Sequence, residues 1–284
     1  MENFFGIMQG RLLPKHKGKY QAHPVGYWNK EFALASKLGF DCIEFILDFD
    51  QAYTNPLLLD SGLKSIEFYI KKYNVLVKSI CADYFMVSPI FTENAKIRNE
   101  NLKILKKLIK NSEIIGVKDI VIPLVDNSSL LNSRAKQISA TSFLKEIFEE
   151  TKNFNINICL ETDLPPNYFL DFVKNINVPQ IKINYDTGNS ASLGYRFEEE
   201  LELYGDYVTN IHIKDRRLNG GSVPLGLGDC QFQKIFQYLS MKQYDGIFIL
   251  QAFRDENAVK SLMPQYEFIK NCLRKYYYSD SKIY

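Results

Sequence analysis

Four apolar runs in the second half of the chain each end on a polar side chain of a type that binds metal ions. They are Ile-Asn-Ile-Cys-Leu-Glu161, Ile-Lys-Ile-Asn-Tyr-Asp186, Val-Thr-Asn-Ile-His212 and Gly-Ile-Phe-Ile-Leu-Gln251. In a barrel of parallel strands the C-terminal ends share one rim, so two carboxylates, an imidazole and an amide would converge on one cation. Three oxygens and one nitrogen suit one divalent metal ion, Mn²⁺, Mg²⁺, Co²⁺ or Zn²⁺, and the imidazole favours the first-row metals. Two carboxylates beside a neutral amide offset the charge of a dication and leave it Lewis acidity for the neighbouring oxygens of a sugar. Each residue also has a plainer reading: Glu161 as a capping or ion-paired acid, Asp186 as part of an Asp-Thr-Gly-Asn turn, His212 as a satisfied core histidine. Their occurrence on consecutive strands favours the metal.

The elements that would position them follow from periodicity. Short runs rich in β-branched and aromatic residues alternate with amphipathic segments, which is the pattern of repeated βα units. Strands are expected at 4–9, 42–47, 75–82, 119–124, 156–161, 181–186, 208–212 and 247–251, and helices near 28–38, 61–73, 93–115, 135–154, 165–175, 196–205, 229–241 and 256–277. Ile104, Leu105, Leu108 and Ile109 form one helical stripe that Gly116 would cap. Regular alternation without a Pro- or Ser-rich linker predicts one domain over 1–284, and eight units predict an α/β fold of the closed (β/α)₈ TIM-barrel class. The first strand leads into Gln9-Gly10-Arg11 and not into a dinucleotide fingerprint, and Gly226-Leu227-Gly228 reads as a tight turn. Tyr27 and Trp28 read as a staple for the first helix, and His16 and His23 as loop residues.

Composition narrows the partner. Thirty-five Lys and Arg against thirty-three Asp and Glu leave a net charge of +2, which gives no global reason to expect nucleic acid and favours a small-molecule ligand. No run approaches the ~20 uninterrupted apolar residues of a membrane span, and the N-terminal residues lack the basic head and long apolar run of a signal peptide; no membrane partner and a cytoplasmic location are expected. The five scattered cysteines read as thiols and not as disulfides. A homo-oligomer stays open. Arg11, Lys214, Arg216, Arg217 and Arg254 lie just past strand ends, where as a group they would meet a phosphate or carboxylate.

Gly39-Phe40-Asp41-Cys42-Ile43-Glu44, Leu160-Glu161, Asp186-Thr187-Gly188-Asn189, His212-Ile213-Lys214-Asp215 and Pro224-Leu225-Gly226-Leu227-Gly228 resemble, in order and strand placement, the motifs of the xylose isomerase-like TIM-barrel superfamily. The likeness runs from about residue 4 to residue 270 and is strongest to its sugar-phosphate isomerase/epimerase branch, which includes L-xylulose-5-phosphate 3-epimerase. It implies a divalent metal on Glu161, Asp186, His212 and the residue ending the eighth strand, at a barrel-mouth site for a keto sugar or its phosphate. The substrate contacts expected there are Arg11, Glu44, Asn189, Lys214, Arg216 and Arg254, with Glu161 and Gln251 at the reacting carbon.

Two positions depart from the family pattern. Epimerases of the family carry Glu where this chain has Gln251, and the loop motif that usually continues to Asp-Phe reads Gln231-Phe232. Epimerisation through an enediolate needs one group to remove the proton α to the carbonyl and another to return it on the opposite face, and an amide can bind metal but cannot shuttle that proton. Either Glu161 is a single base for an isomerisation or dehydration, or another acid, Asp215, Glu44 or Asp163, replaces the missing one. The rivals are a non-catalytic sugar-binding protein and, lower, an abasic-site endonuclease of the same fold. The latter needs a zinc cluster for which three histidines are too few.

Overall fold

The computed structural model describes residues 3–278. Its strands, in chain order, are β1 (Phe5–Met8), β2 (Cys42–Ile46), β3 (Ser79–Cys81), β4 (Asp119–Leu124), β5 (Asn157–Thr162), β6 (Ile181–Asp186), β7 (Val208–Ile213), β8 (Asp215–Arg216), β9 (Ser222–Val223) and β10 (Ile247–Leu250). Eight of them close a barrel in the order β1-β10-β7-β6-β5-β4-β3-β2, all neighbours parallel, while β8 and β9 pair as a small antiparallel hairpin above the rim. The helices are α1 (Lys30–Leu38), α2 (Asp60–Tyr73), α3 (Tyr84–Val87), α4 (Ala95–Ile114), α5 (Arg134–Thr151), α6 (Pro166–Ile176), α7 (Thr187–Leu193), α8 (Phe197–Tyr204), α9 (Phe232–Met241) and α10 (Ala258–Tyr276). The closed α/β barrel expected from the sequence is the fold found.

Strand parity sorts the core into two layers. Cys42, Glu44 and Ile46 share one face of β2, and Glu44 bonds His212 on the non-adjacent β7, so that face points into the barrel. The inward set includes Met8, Cys42, Ile46, Cys81, Val121, Cys159 and Ile249, all buried. The opposite parity, including Ile43, Phe45, Ile80, Ile120, Ile158 and Leu160, joins the helices in one large outer core. Three of the five cysteines therefore serve as small apolar fillers of a narrow interior, and all five are free thiols.

Local signals set the helix ends. Asn94 accepts bonds from the Lys96 and Ile97 amides to start α4, whose Ile104, Leu105, Leu108 and Ile109 stripe is buried. Gly39 closes α1 at φ 79°. The structure shortens the third strand from 75–82 to Ser79–Cys81, because Leu76 makes only an isolated bridge to Cys42. It also adds α7 where a turn was the plain reading: Asp186 accepts from the Asn189 amide and thereby caps a helix. Trp28 packs edge-on to Phe32, Phe45 and Tyr69, as a staple should. His23 is a loop residue that is fully packed, its Nδ1 2.9 Å from Gln9 Oε1. After α10, Tyr277 seats its ring edge-on to Phe248 and its hydroxyl donates to Asn3 Oδ1.

Gly6 marks where β1 closes against both neighbours. A Cβ there would stand 2.5 Å from Cys42 Sγ, 2.8 Å from Ile249 Cδ1 and 3.0 Å from the Cys42 carbonyl. Gly6→Ala is expected to lower unfolding free energy by about 1–3 kcal/mol through overpacking, read as a lower urea midpoint with an unchanged slope. An unchanged midpoint would show that the barrel seam has slack.

Candidate metal and sugar site

The ends of β5, β6 and β7 bring Glu161, Asp186 and His212 together, one ligand atom from each lying within 4.8 Å of the others, and all three are buried. Two amides fix Glu161: Asn189 Nδ2 donates to Oε1 at 2.6 Å and Asn184 Nδ2 to Oε2 at 2.8 Å. One oxygen of Asp186 caps α7; the other lies 3.3 Å from the Lys214 ammonium. His212 Nε2 is 2.7 Å from Glu44 Oε1, and Glu44 Oε2 accepts from Asn210 Nδ2 at 2.9 Å. With Nε2 donating downward, the Nδ1 lone pair faces the rim, 3.4 Å from Glu161 Oε2.

The donor set fits a dication. Among the described residues, His212 Nδ1 and Gln251 Oε1 are buried polar atoms with no hydrogen-bond partner. Both are ligand atoms of the expected set, and an orphaned buried lone pair is costly unless something positive meets it. Without a cation, burial works against charge on His212, yet the Glu44 and Glu161 carboxylates outweigh it and hold the imidazole up to about 10, so that Nδ1 carries a proton toward Glu161 which a bound dication would displace to reach the lone pair. The pocket of acids thus draws positive charge, and a divalent ion answers both that field and the orphaned atoms.

Above the acids opens a cavity of about 680 Å³. Glu161, Gln251, Arg11, Asn189, Lys214 and Arg216 line it. Asn189 is the junction: Arg216 Nη1 and Lys214 Nζ reach its Oδ1 at 2.8 and 3.3 Å while its amide holds Glu161. Gly188 must stay small here, because a Cβ would stand 2.8 Å from Lys214 Cγ. Arg11 donates to the Ala252 and Tyr20 carbonyls and to Gln21 Oε1, and burial lowers its pKa to about 10.

Two expected substrate contacts sit elsewhere. Glu44 is fully buried beneath His212 and absent from the cavity wall; mid-strand in β2, it lies one inward layer below the rim. Arg254 turns away from the cavity to donate to the Leu13 carbonyl, close to Glu31, which itself accepts from the Gly10 and Leu12 amides. Of the acids considered as a replacement for the missing glutamate, Asp215 is enclosed by the Gly226, Gly228 and Cys230 amides. The Gly226–Gly228 turn does cradle an anion, but it is the protein's own carboxylate. Asp163 alone of the three faces the cavity, half-buried and accepting from Ser129. Asp83, not among the residues expected from the sequence, lines it too, from the turn between β3 and α3.

Comparison with known proteins finds sugar epimerases among the relatives and structural neighbours. L-ribulose-5-phosphate 3-epimerase UlaE of Salmonella heidelberg is 22% identical over 267 residues, covering 88% of this chain and 92% of the relative. A putative L-ribulose-5-phosphate 3-epimerase SgbU of Haemophilus influenzae is 24% identical, covering 86% and 91%. Among solved structures, D-psicose 3-epimerase in the presence of D-fructose superposes with a TM-score of 0.73 at 16% identity, covering 95% of this chain and 97% of that one. The IOLI protein with a binding zinc atom superposes at 0.77 and 16%, covering 96% and 99%. No helix among the described residues is long and apolar enough to cross a membrane. The model of the xylose isomerase-like TIM barrel matches residues 32–272, and the chain belongs to that family.

Proposed function

We propose that this chain is a metal-dependent isomerase or epimerase of a small keto sugar phosphate, acting through an enediolate. The observation that carries the reading is the pair of orphaned ligand atoms, His212 Nδ1 and Gln251 Oε1, beside Glu161, beneath a cavity whose lining includes Arg11, Lys214 and Arg216. The relatives named L-ribulose-5-phosphate 3-epimerase support the substrate class. A cation held by Glu161, Asp186, His212 and Gln251 would supply Lewis acidity to two neighbouring sugar oxygens.

The residues of the chain do the rest. Glu161, aimed by two amides, takes the proton α to the carbonyl, and the electron pair of that C–H bond moves into the enediolate carbon–carbon double bond. Asn189 couples Glu161 to Arg216 and Lys214, so the cations that hold the distal phosphate also brace the base. Arg11, its guanidinium oriented by three acceptors and lying over the Tyr20 ring, adds a buried positive charge to the cavity lining. Gln251 orients substrate or metal through its carbonyl oxygen and moves no proton. That amide favours a second reading, a single-base aldose–ketose isomerisation with the proton returned on the same face.

Wild-type protein with Mn²⁺ in D₂O is expected to place deuterium on the carbon α to the carbonyl of L-ribulose 5-phosphate. Glu161→Gln is expected to slow that exchange about 10²–10⁴-fold. Sugar binding without exchange would contradict catalysis and favour a binding protein. Glu44→Gln is expected to weaken Mn²⁺ binding about 10–100-fold by calorimetry, because the imidazole loses the partner that sets its tautomer. Equal affinity would remove Glu44 from that role.

A further inference from the structure

The amide at 251 leaves the second face of the sugar without its usual proton-transfer group, and one side chain in the cavity stands in line to replace it. Gln251 Nε2 donates to Gln21 Oε1 at 2.8 Å, and Gln21 Nε2 donates to Asp83 Oδ2 at 2.8 Å. The carboxylate that the glutamine lacks is therefore found one amide further along the same hydrogen-bonded row. Arg11 Nη2 shares the Gln21 oxygen at 3.0 Å, which fixes the flip of that amide and makes it present its N–H to Asp83. The other Asp83 oxygen accepts from Cys81 Sγ at 3.1 Å.

We propose that Asp83 is the second catalytic acid–base group of this barrel, working opposite Glu161 on the reacting carbon. The assignment rests on the reading of the chain as a keto-sugar-phosphate epimerase. Placement supports it: Asp83 follows β3, Glu161 lies on β5, and the two side chains line one cavity from strands separated by β4. Burial, with the nearby Glu161 and Glu44 charges, raises its pKa despite the two donors, so it holds a proton more readily than an ordinary aspartate. Of the other aspartates on the wall, Asp48 is engaged by the His23 amide, Asp50 by Lys19 and Asp163 by Ser129, and neither these nor Asp126 joins the row that ends at Gln251.

The step balances without a further reagent. Glu161 as carboxylate removes the α-proton of one epimer, and the C–H pair enters the enediolate. Asp83 as acid then delivers its proton to the opposite face: its O–H bond breaks, a new C–H bond forms, and the double-bond pair supplies the electrons. Glu161 leaves the turnover protonated and Asp83 ionised. They reset by exchange with water through the open cavity, or run in the reverse direction on the other epimer.

The test uses full-length protein with Mn²⁺ and the two C3 epimers, L-ribulose 5-phosphate and L-xylulose 5-phosphate, in D₂O. Asp83→Asn keeps size and hydrogen bonding; its epimerisation is expected to fall about 10²–10⁴-fold while solvent deuterium still enters the epimer deprotonated by Glu161. Asp83→Glu should keep part of the rate, and Gln251→Glu placed on Asp83→Asn should restore inversion. Undiminished epimerisation by Asp83→Asn overturns the assignment alone. Equal loss of exchange from both epimers, with unchanged melting, overturns it in favour of a binding role. Wild-type protein inert toward both sugars overturns the functional reading and Asp83 with it.

Discussion

The buried contact between Glu44 and His212 governs the site. A carboxylate with no exposure lies 2.7 Å from Nε2 of an imidazole that is equally buried, deep inside the barrel, with the Asn210 amide as its other partner. That contact assigns one ring nitrogen to the interior and turns the other toward the rim, where Glu161 and Asp186 converge. It also leaves more negative than positive charge around one point. Such a cluster is stable when a cation is present and strained when it is not, since uncompensated carboxylates raise each other's energy in a low-dielectric interior. The need for a positive centre is thus built into the packing before any substrate arrives.

The barrel turns this local demand into a working geometry. Parallel strands end at one height, so neighbouring strands deliver ligands to one spot without any loop having to fold precisely. Just beyond the strands, α7, the β8–β9 hairpin and the loop after β1 bring Asn189, Arg216 and Gln21 to the cavity. In the proposed assignment the Gln251 oxygen serves the cation and the acid–base role passes to Asp83, in the turn after β3.

The barrel and the three-residue acid and imidazole cluster were legible in the sequence because both follow from periodicity. An apolar run of a given length ends where its strand ends, and the terminal polar residue then sits on the rim. Glu44 was misplaced for a reason of parity: it shares the inward face with Cys42 and Ile46 but stops two residues short of the end of β2, so it props His212 from below and does not touch the cavity. Arg254 was misplaced because lying past a strand end does not fix direction, and the chain there turns toward Leu13. Helix α7, built on Thr-Gly-Asn-Ser-Ala-Ser-Leu, carries almost no apolar stripe, and its stability comes from the Asp186 cap and tertiary contacts that no local pattern reveals. Asp83 carries no strand-end signal, since the apolar run before it merges an approach segment with a strand of only three residues.

The most direct measurement is a crystal of the protein grown with Mn²⁺, with anomalous scattering collected at the manganese edge. One ordered ion bonded to Glu161, Asp186, His212 Nδ1 and Gln251 Oε1 is the predicted result. A fully occupied ion elsewhere, or none at saturating Mn²⁺ with those four side chains holding each other, would contradict the account.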